Sequence, residues 1–181
     1  MVLRRSIRWR SLEHGGLEQL RFTEWQNELN VRSTVIGDVE DDAFGVFYEV
    51  TLSLDWIVAG VVLQRTDGVM MVLSSDGRGK WADAHGARPD LDGCIDIDFE
   101  MTPFTNTLPI RRVPLGVGET KRFRMAYIPA DTLEPFADEQ IYTRLSQNTY
   151  SFEEADGSFT ADITVDEDGF VVDYPGLFER V

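Results

Sequence analysis

Val46-Phe47-Tyr48-Glu49-Val50-Thr51-Leu52-Ser53-Leu54 is the stretch whose reading decides the fold. Its apolar residues recur at every second position, with Tyr48, Val50, Leu52 and Leu54 on one side, the period of a strand that buries one face. Ile57 to Gln64 and Val69 to Leu73 follow as further strand-sized apolar runs, and Thr66-Asp67-Gly68 between them has the composition of a hairpin turn. Upstream, Arg32 to Ile36 reads as another strand. Downstream, Tyr142 to Glu154, Phe159 to Val165 and Phe170 to Tyr174 repeat the pattern, separated by Glu154-Ala155-Asp156-Gly157-Ser158 and Asp166-Glu167-Asp168-Gly169. Strands this closely spaced imply a mainly β chain built as an antiparallel meander. Helix is scarce: Leu133 to Gln140 and Thr105 to Arg112 are expected as one or two short helices, limited by Pro135 and Pro109.

At 181 residues the chain suits one domain, 1–181, with a core of its own. The basic N-terminus, Met1 to Arg10, lacks the apolar run of a signal peptide, and the longest apolar segments are strand-sized, so stable membrane insertion is not expected. A cytoplasmic location is expected, and the single Cys94, which has no partner for an internal disulfide, agrees with a reducing compartment. The formal net charge is −15, its acids are spread along the chain, and Lys80 and Lys121 are the only lysines. This pattern fits a halophile-like, salt-adapted surface better than an acidic binding face, and it excludes the basic footprint of a nucleic-acid binder.

The most individual stretch is Asp90 to Arg112. If residues 94–98 form a strand, Cys94, Asp96 and Asp98 share one face, and Ile95 and Ile97 the other. The carboxylates could then hold a cation or share a proton; alternatively the isoleucines face the core and the acids face solvent. The segment that follows, Met101 to Arg112, is braced by Pro103 and Pro109. Thr105 and Asn106 supply short polar groups, Phe104 and Leu108 supply apolar anchors, and Arg111 and Arg112 can hold a polar head or neutralise Asp96 and Asp98. Trp9, Trp25, Trp56 and Trp81 can line an amphiphile site or pack in a core. Enzyme signatures are mostly absent: His14 and His85 lie in turn-like sequence, Cys94 sits among acids that raise its pKa, and no phosphate loop, dinucleotide fingerprint, zinc cluster or nucleophile elbow is present, which leaves a carboxylate pair as general acid and base.

The residues Ile7-Arg8-Trp9-Arg10-Ser11-Leu12-Glu13 with Gly16-Leu17-Glu18, the central run Leu91 to Asp98 with Thr102 to Arg112, and the closing Phe159 to Asp162, Val165 to Gly169 and Asp173 to Phe178 resemble the putative glycolipid-binding family, formerly a domain of unknown function. The loop Gly37 to Ala43 is acidic here. The resemblance implies a curved antiparallel sheet, a half-barrel similar to bacterial lipoprotein carriers, with a cavity for an amphiphile. The expected function is non-catalytic binding of a lipid-like or glycosylated small molecule, with no cofactor and no metal. Its expected site comprises Trp9, Arg10, Asp96, Asp98, Phe104, Thr105, Asn106, Leu108, Arg111 and Arg112. The alternatives are a hydrolase or isomerase of a small amphiphile that uses Asp96 or Asp98, and an interaction protein that pairs through a sheet edge.

Overall fold

In the computed structural model, which describes residues 4–13, 15–39 and 42–181, Val46, Tyr48, Val50 and Leu52 are all buried, while Phe47 between them is 40% exposed. The same two-residue rhythm runs through most of the chain. The strands in order are β1 (Arg4–Ser11), β2 (Leu17–Trp25), β3 (Glu28–Val39), β4 (Asp42–Ser53), β5 (Val58–Arg65), β6 (Met70–Ser75), β7 (Trp81–Asp83) and β8 (Gly86–Ala87). They continue with β9 (Asp96–Phe99), β10 (Thr120–Ile128), β11 (Phe136–Arg144), β12 (Thr149–Glu154), β13 (Thr160–Val165), β14 (Val171–Tyr174) and β15 (Phe178–Arg180).

All of them join one open, curved sheet in the order β8-β7-β6-β5-β4-β3-β2-β1-β15-β14-β13-β12-β11-β10-β9. The pairings are antiparallel except that of β9 with β10, which is parallel. Two wings, β2 to β8 and β9 to β14, therefore meet at the β1–β15 pair in the middle of the sheet. Its end strands are short: β8 has two residues and β9 has four, a length that offers little template for an added strand.

The concave side is filled by the proline-braced segment. Thr102 opens it: the Phe104 amide donates to the Thr102 hydroxyl at 3.1 Å, and Pro103 occupies the first turn, where a missing N–H costs nothing. A 3-10 turn, Pro103–Asn106, runs directly into the one short helix, α1 (Thr107–Arg112). Every residue from Met101 to Ile110 is buried. Phe104 spans the two wings, its ring 6.4 Å from that of Tyr48 and 6.5 Å from that of Phe170. The segment is an internal plug that closes the hollow a sheet this curved would otherwise leave.

Two expectations from the sequence are corrected. Residues 136–140, expected as part of a helix from Leu133 to Gln140, lie in strand β11, and Leu133 has a positive φ of 55°. Pairing with both β10 and β12 outweighs the weak helical pattern there. Tyr142 to Glu154, expected as one strand, is two, β11 and β12, separated by a turn at 145–148. The turn or two of helix expected within Thr105 to Arg112 is present. His14 and positions 40 and 41 of the acidic loop lie outside the described residues. Among the described residues, no helix is long and apolar enough to cross a membrane.

Candidate functional site

β9 presents Asp96 and Asp98 on one face, as the alternation requires, but neither lies on an open surface. Asp96 is fully buried and held by Arg112, whose Nε and Nη2 donate to its two oxygens at 2.9 and 2.5 Å. Burial pushes the Asp96 carboxyl upward in pKa and the Arg112 guanidinium opposes it. Asp98 has no such partner among the described residues. Thr105 donates to one oxygen at 2.8 Å and the Gln140 amide to the other at 2.6 Å. Its pKa is raised first by burial, then by the negative charges of Asp138 and Glu100.

Asp98 opens into a cavity of about 230 Å³ between the plug and the wing formed by β10 to β15. One wall is aromatic: Phe152, Phe159, Tyr174 and Phe178 stand in a chain with neighbouring ring centroids 6.0 to 6.3 Å apart. Its polar lining comprises Glu13, Asp98, Glu100, Thr102, Asn106, Tyr127 and Glu154, the last on the same face of β12 as Phe152. Asn106 donates to the Tyr142 hydroxyl at 2.8 Å, which fixes it at the cavity floor. Burial and the negative charge of the adjacent Asp138 raise Glu154 to about 8, so Glu154 holds a proton near neutral pH.

Behind Thr102 lies a second buried acid. Glu18 is 4% exposed and faces inward from β2. Ser33 and Tyr48 donate to one of its oxygens at 2.6 and 2.5 Å, and Thr102 donates to the other. Burial raises it to about 7, against those three hydrogen bonds. Thr102 therefore connects the cavity to a carboxyl poised near neutrality.

The remaining site residues expected from sequence lie as follows. Trp9 is fully buried and donates to the Val171 carbonyl at 2.8 Å. Arg10 is on the outer face, paired with Glu179 at 2.7 Å. Phe104 and Leu108 are core residues of the plug, and Thr105 and Asn106 support the cavity through Asp98 and Tyr142. Arg111 stacks on Trp56, 5.1 Å from its ring centre, and lines a separate polar cavity of about 420 Å³ with Arg144 and Glu167. Trp81 is also buried, donating to the Cys94 carbonyl at 2.7 Å, whereas Trp25 is 55% exposed. Burial pushes the Cys94 thiol up to about 11. Sequence reasoning missed Glu18, Glu154 and the aromatic wall. Glu18 carries a legible signal, because Glu18, Leu20 and Phe22 share the inward phase of β2. Glu154 occupies the same phase as Tyr150 and Phe152.

An open curved sheet, plugged on its concave side and holding a small acidic and aromatic cavity, defines a distinct class of β protein. The chain belongs to the family described as Putative glycolipid-binding, whose model matches residues 6–180. It is similar to a DUF1089 family protein from Pseudomonas aeruginosa of known crystal structure, with 38% identity, 92% of each chain covered and a TM-score of 0.84. No curated protein matches it.

Proposed function

We propose that the protein binds, without catalysis, the glycosylated head of a small amphiphile in the cavity between the plug and the β10 to β15 wing. The observation that carries this reading is the pairing of an aromatic wall with a row of carboxylate, amide and hydroxyl groups across about 230 Å³. A sugar ring presents C–H faces to aromatic rings and hydroxyl donors to carboxylates, so each wall has a partner on it. Pockets that enclose drug-sized ligands measure about 300–1,000 Å³, so this one accepts a head group and leaves the apolar tail outside. The family description supports the same class of ligand. Arg112 is committed to Asp96, so the head is read by acceptors and rings, with Arg111 facing the neighbouring cavity.

Calorimetric titration with octyl glucoside, with octanol and octylphosphocholine as controls, tests this. Saturable one-site binding of the glycoside is expected, weakened about tenfold in Phe159→Ala. Absence of saturable binding, or binding indifferent to that change, overturns the proposal.

A hydrolytic reading has one observation in its favour: Asp98 and Glu154 share the cavity, and both have raised pKa values. Turnover of nitrophenyl glycosides that is lost in Asp98→Asn would establish it. No turnover in the wild type rejects it.

A further inference from the structure

We propose that the outer face of β1 and β2 is a docking surface for an anionic lipid membrane, with Arg4 and Arg21 taking a lipid phosphate and Trp25 entering the layer between headgroups and acyl chains. The docking does not depend on what the cavity holds.

Alternation along the two strands decides what faces outward. β1 turns Ile7 and Trp9 into the core and presents Arg4, Ser6, Arg8 and Arg10 outside. β2 turns Glu18, Leu20 and Phe22 inward and presents Leu17, Gln19, Arg21, Thr23 and Trp25. In a chain of net charge −15, the outward positions of these two neighbouring strands hold four arginines and no acid. Nearby acids offset them little. Glu179 is taken by Arg10 and Glu49 by Arg32, which leaves Glu28 at the rim, opposite Trp25. Among the described residues, Arg4, Arg8 and Arg21 have no carboxylate partner, and Arg8 donates to the Gln19 side-chain oxygen at 2.7 Å.

Arg21 is the most telling of them. It stands directly opposite Arg32 across the β2–β3 pair, an arrangement of like charges that costs stability. Arg32 turns to Glu49, its Nε donating at 3.0 Å. Arg21 instead shares with Arg4 a shallow cavity of about 280 Å³ whose other walls are Thr23 and Trp25. Two guanidinium groups and a hydroxyl around such an opening suit the free oxygens of a phosphate.

Trp25 closes β2 beside a two-residue turn, Gln26 and Asn27, both with positive φ, and this tight hairpin holds the exposed indole at one end of the sheet. Indole rings favour the interfacial layer of a bilayer. Leu17 and Ile36, paired across β2 and β3 toward the other end and also exposed, add apolar contact. Basic side chains flanked by exposed apolar ones complement an anionic lipid surface. A second copy of the chain set against the same face would bring arginine onto arginine. The acids elsewhere on the molecule do not prevent the approach, because at an ionic strength of about 0.15 M exposed charges are screened beyond about 8 Å.

Flotation with vesicles of equal parts phosphatidylglycerol and phosphatidylcholine, against vesicles of phosphatidylcholine alone, tests this at about 0.1 M salt. Binding is expected to the anionic vesicles only, and is expected to be lost at about 1 M salt. Arg21→Gln should weaken it about fivefold, the equivalent of about 1 kcal/mol for one basic residue at such a surface. Arg78→Gln, the same charge change at an exposed position between β6 and β7, should leave it unchanged. Brominated acyl chains should quench the emission of Trp25, and Trp25→Phe should abolish that quenching, because Trp9, Trp56 and Trp81 are buried. Failure to bind anionic vesicles overturns the proposal, as does equal binding to the neutral ones. Equal weakening by both arginine variants also overturns it, since net charge and not this face would then govern the approach. Bound protein whose emission is not quenched contradicts the placement of Trp25 and overturns it too. If vesicles are ignored while an oligonucleotide binds through Arg21, the face serves a soluble polyanion and the proposal falls.

Discussion

Replacing Glu18 by glutamine should change how stability depends on pH far more than it changes the structure. In the folded protein Glu18 titrates near 7 instead of the usual 4.5, because burial outweighs the hydrogen bonds from Ser33, Thr102 and Tyr48. The folded state thus holds this proton more tightly than the unfolded chain does. The sign follows: the contribution of Glu18 is most favourable below about pH 4.5, falls as pH rises through 7, and is flat beyond about pH 8. At about 1.4 kcal/mol per pH unit, the loss across that window is about 3 kcal/mol. Glutamine cannot ionise. Its carbonyl still accepts from Ser33 and Tyr48, and its amide turns toward the Thr102 hydroxyl, at a cost of about 1 kcal/mol that does not vary with pH. Urea melts of both proteins at intervals from pH 4 to 8.5 give the difference curve, in which the other titrating groups cancel. Glu18→Gln should gain on the wild type by about 3 kcal/mol between the two ends. A flat difference curve, or one that falls with pH, would refute the reasoning, since either means that the three hydroxyl donors hold Glu18 as a stable anion.

Other substitutions probe the rest of the framework. Arg112→Gln leaves Asp96 buried without its cation and should cost about 3–5 kcal/mol at neutral pH in chemical denaturation. That cost should shrink in acid, where Asp96 is protonated; a loss independent of pH would count against an ionised pair. Phe104→Ala opens a void between Tyr48 and Phe170 and should cost about 3–5 kcal/mol, read as a lowered urea midpoint. Gly16→Ala places a methyl 1.8 Å from the Ile36 carbonyl oxygen, a backbone collision that must part the start of β2 from β3. Amide exchange at that end of the β2–β3 pair should accelerate well ahead of the rest of the sheet, and unchanged protection there would contradict the placement of Gly16.

The β4 to β6 region was legible because one face is buried and the other is not, so alternation survives in the residues themselves. β1 and β10 were harder to see: their exposed positions carry Arg4, Arg8, Arg10, Lys121, Arg122 and Arg124, which read as local charge before they read as one side of a strand. β11 was obscured by Asp138, Glu139 and Gln140, residues common in helices, of which Gln140 is fully buried because it serves Asp98. For the candidate site, the sequence singled out the segment that folds as the plug and offered the pairing of arginine with aspartate as one of two readings. It could not tell that Arg112 would take Asp96 while Asp98 went without, because that choice depends on a parallel pairing with β10 and on a plug folded into the hollow. The aromatic wall was invisible for a simpler reason. Phe152, Phe159, Tyr174 and Phe178 come from separate turns and strands, and the pairings of β12 to β15 bring them together.

The seam at the centre of the sheet has a consequence for biosynthesis. Trp9, Arg10 and Ser11 pair with Arg180, Glu179 and Phe178, so β1 waits for nearly the whole remaining chain before its second neighbour exists. During translation the first wing can form while its inner edge is still unpaired, and a bare edge is what neighbouring nascent chains can add to. The arginines that alternate along β1 would then act as guards, keeping identical edges apart by charge until the last strand emerges.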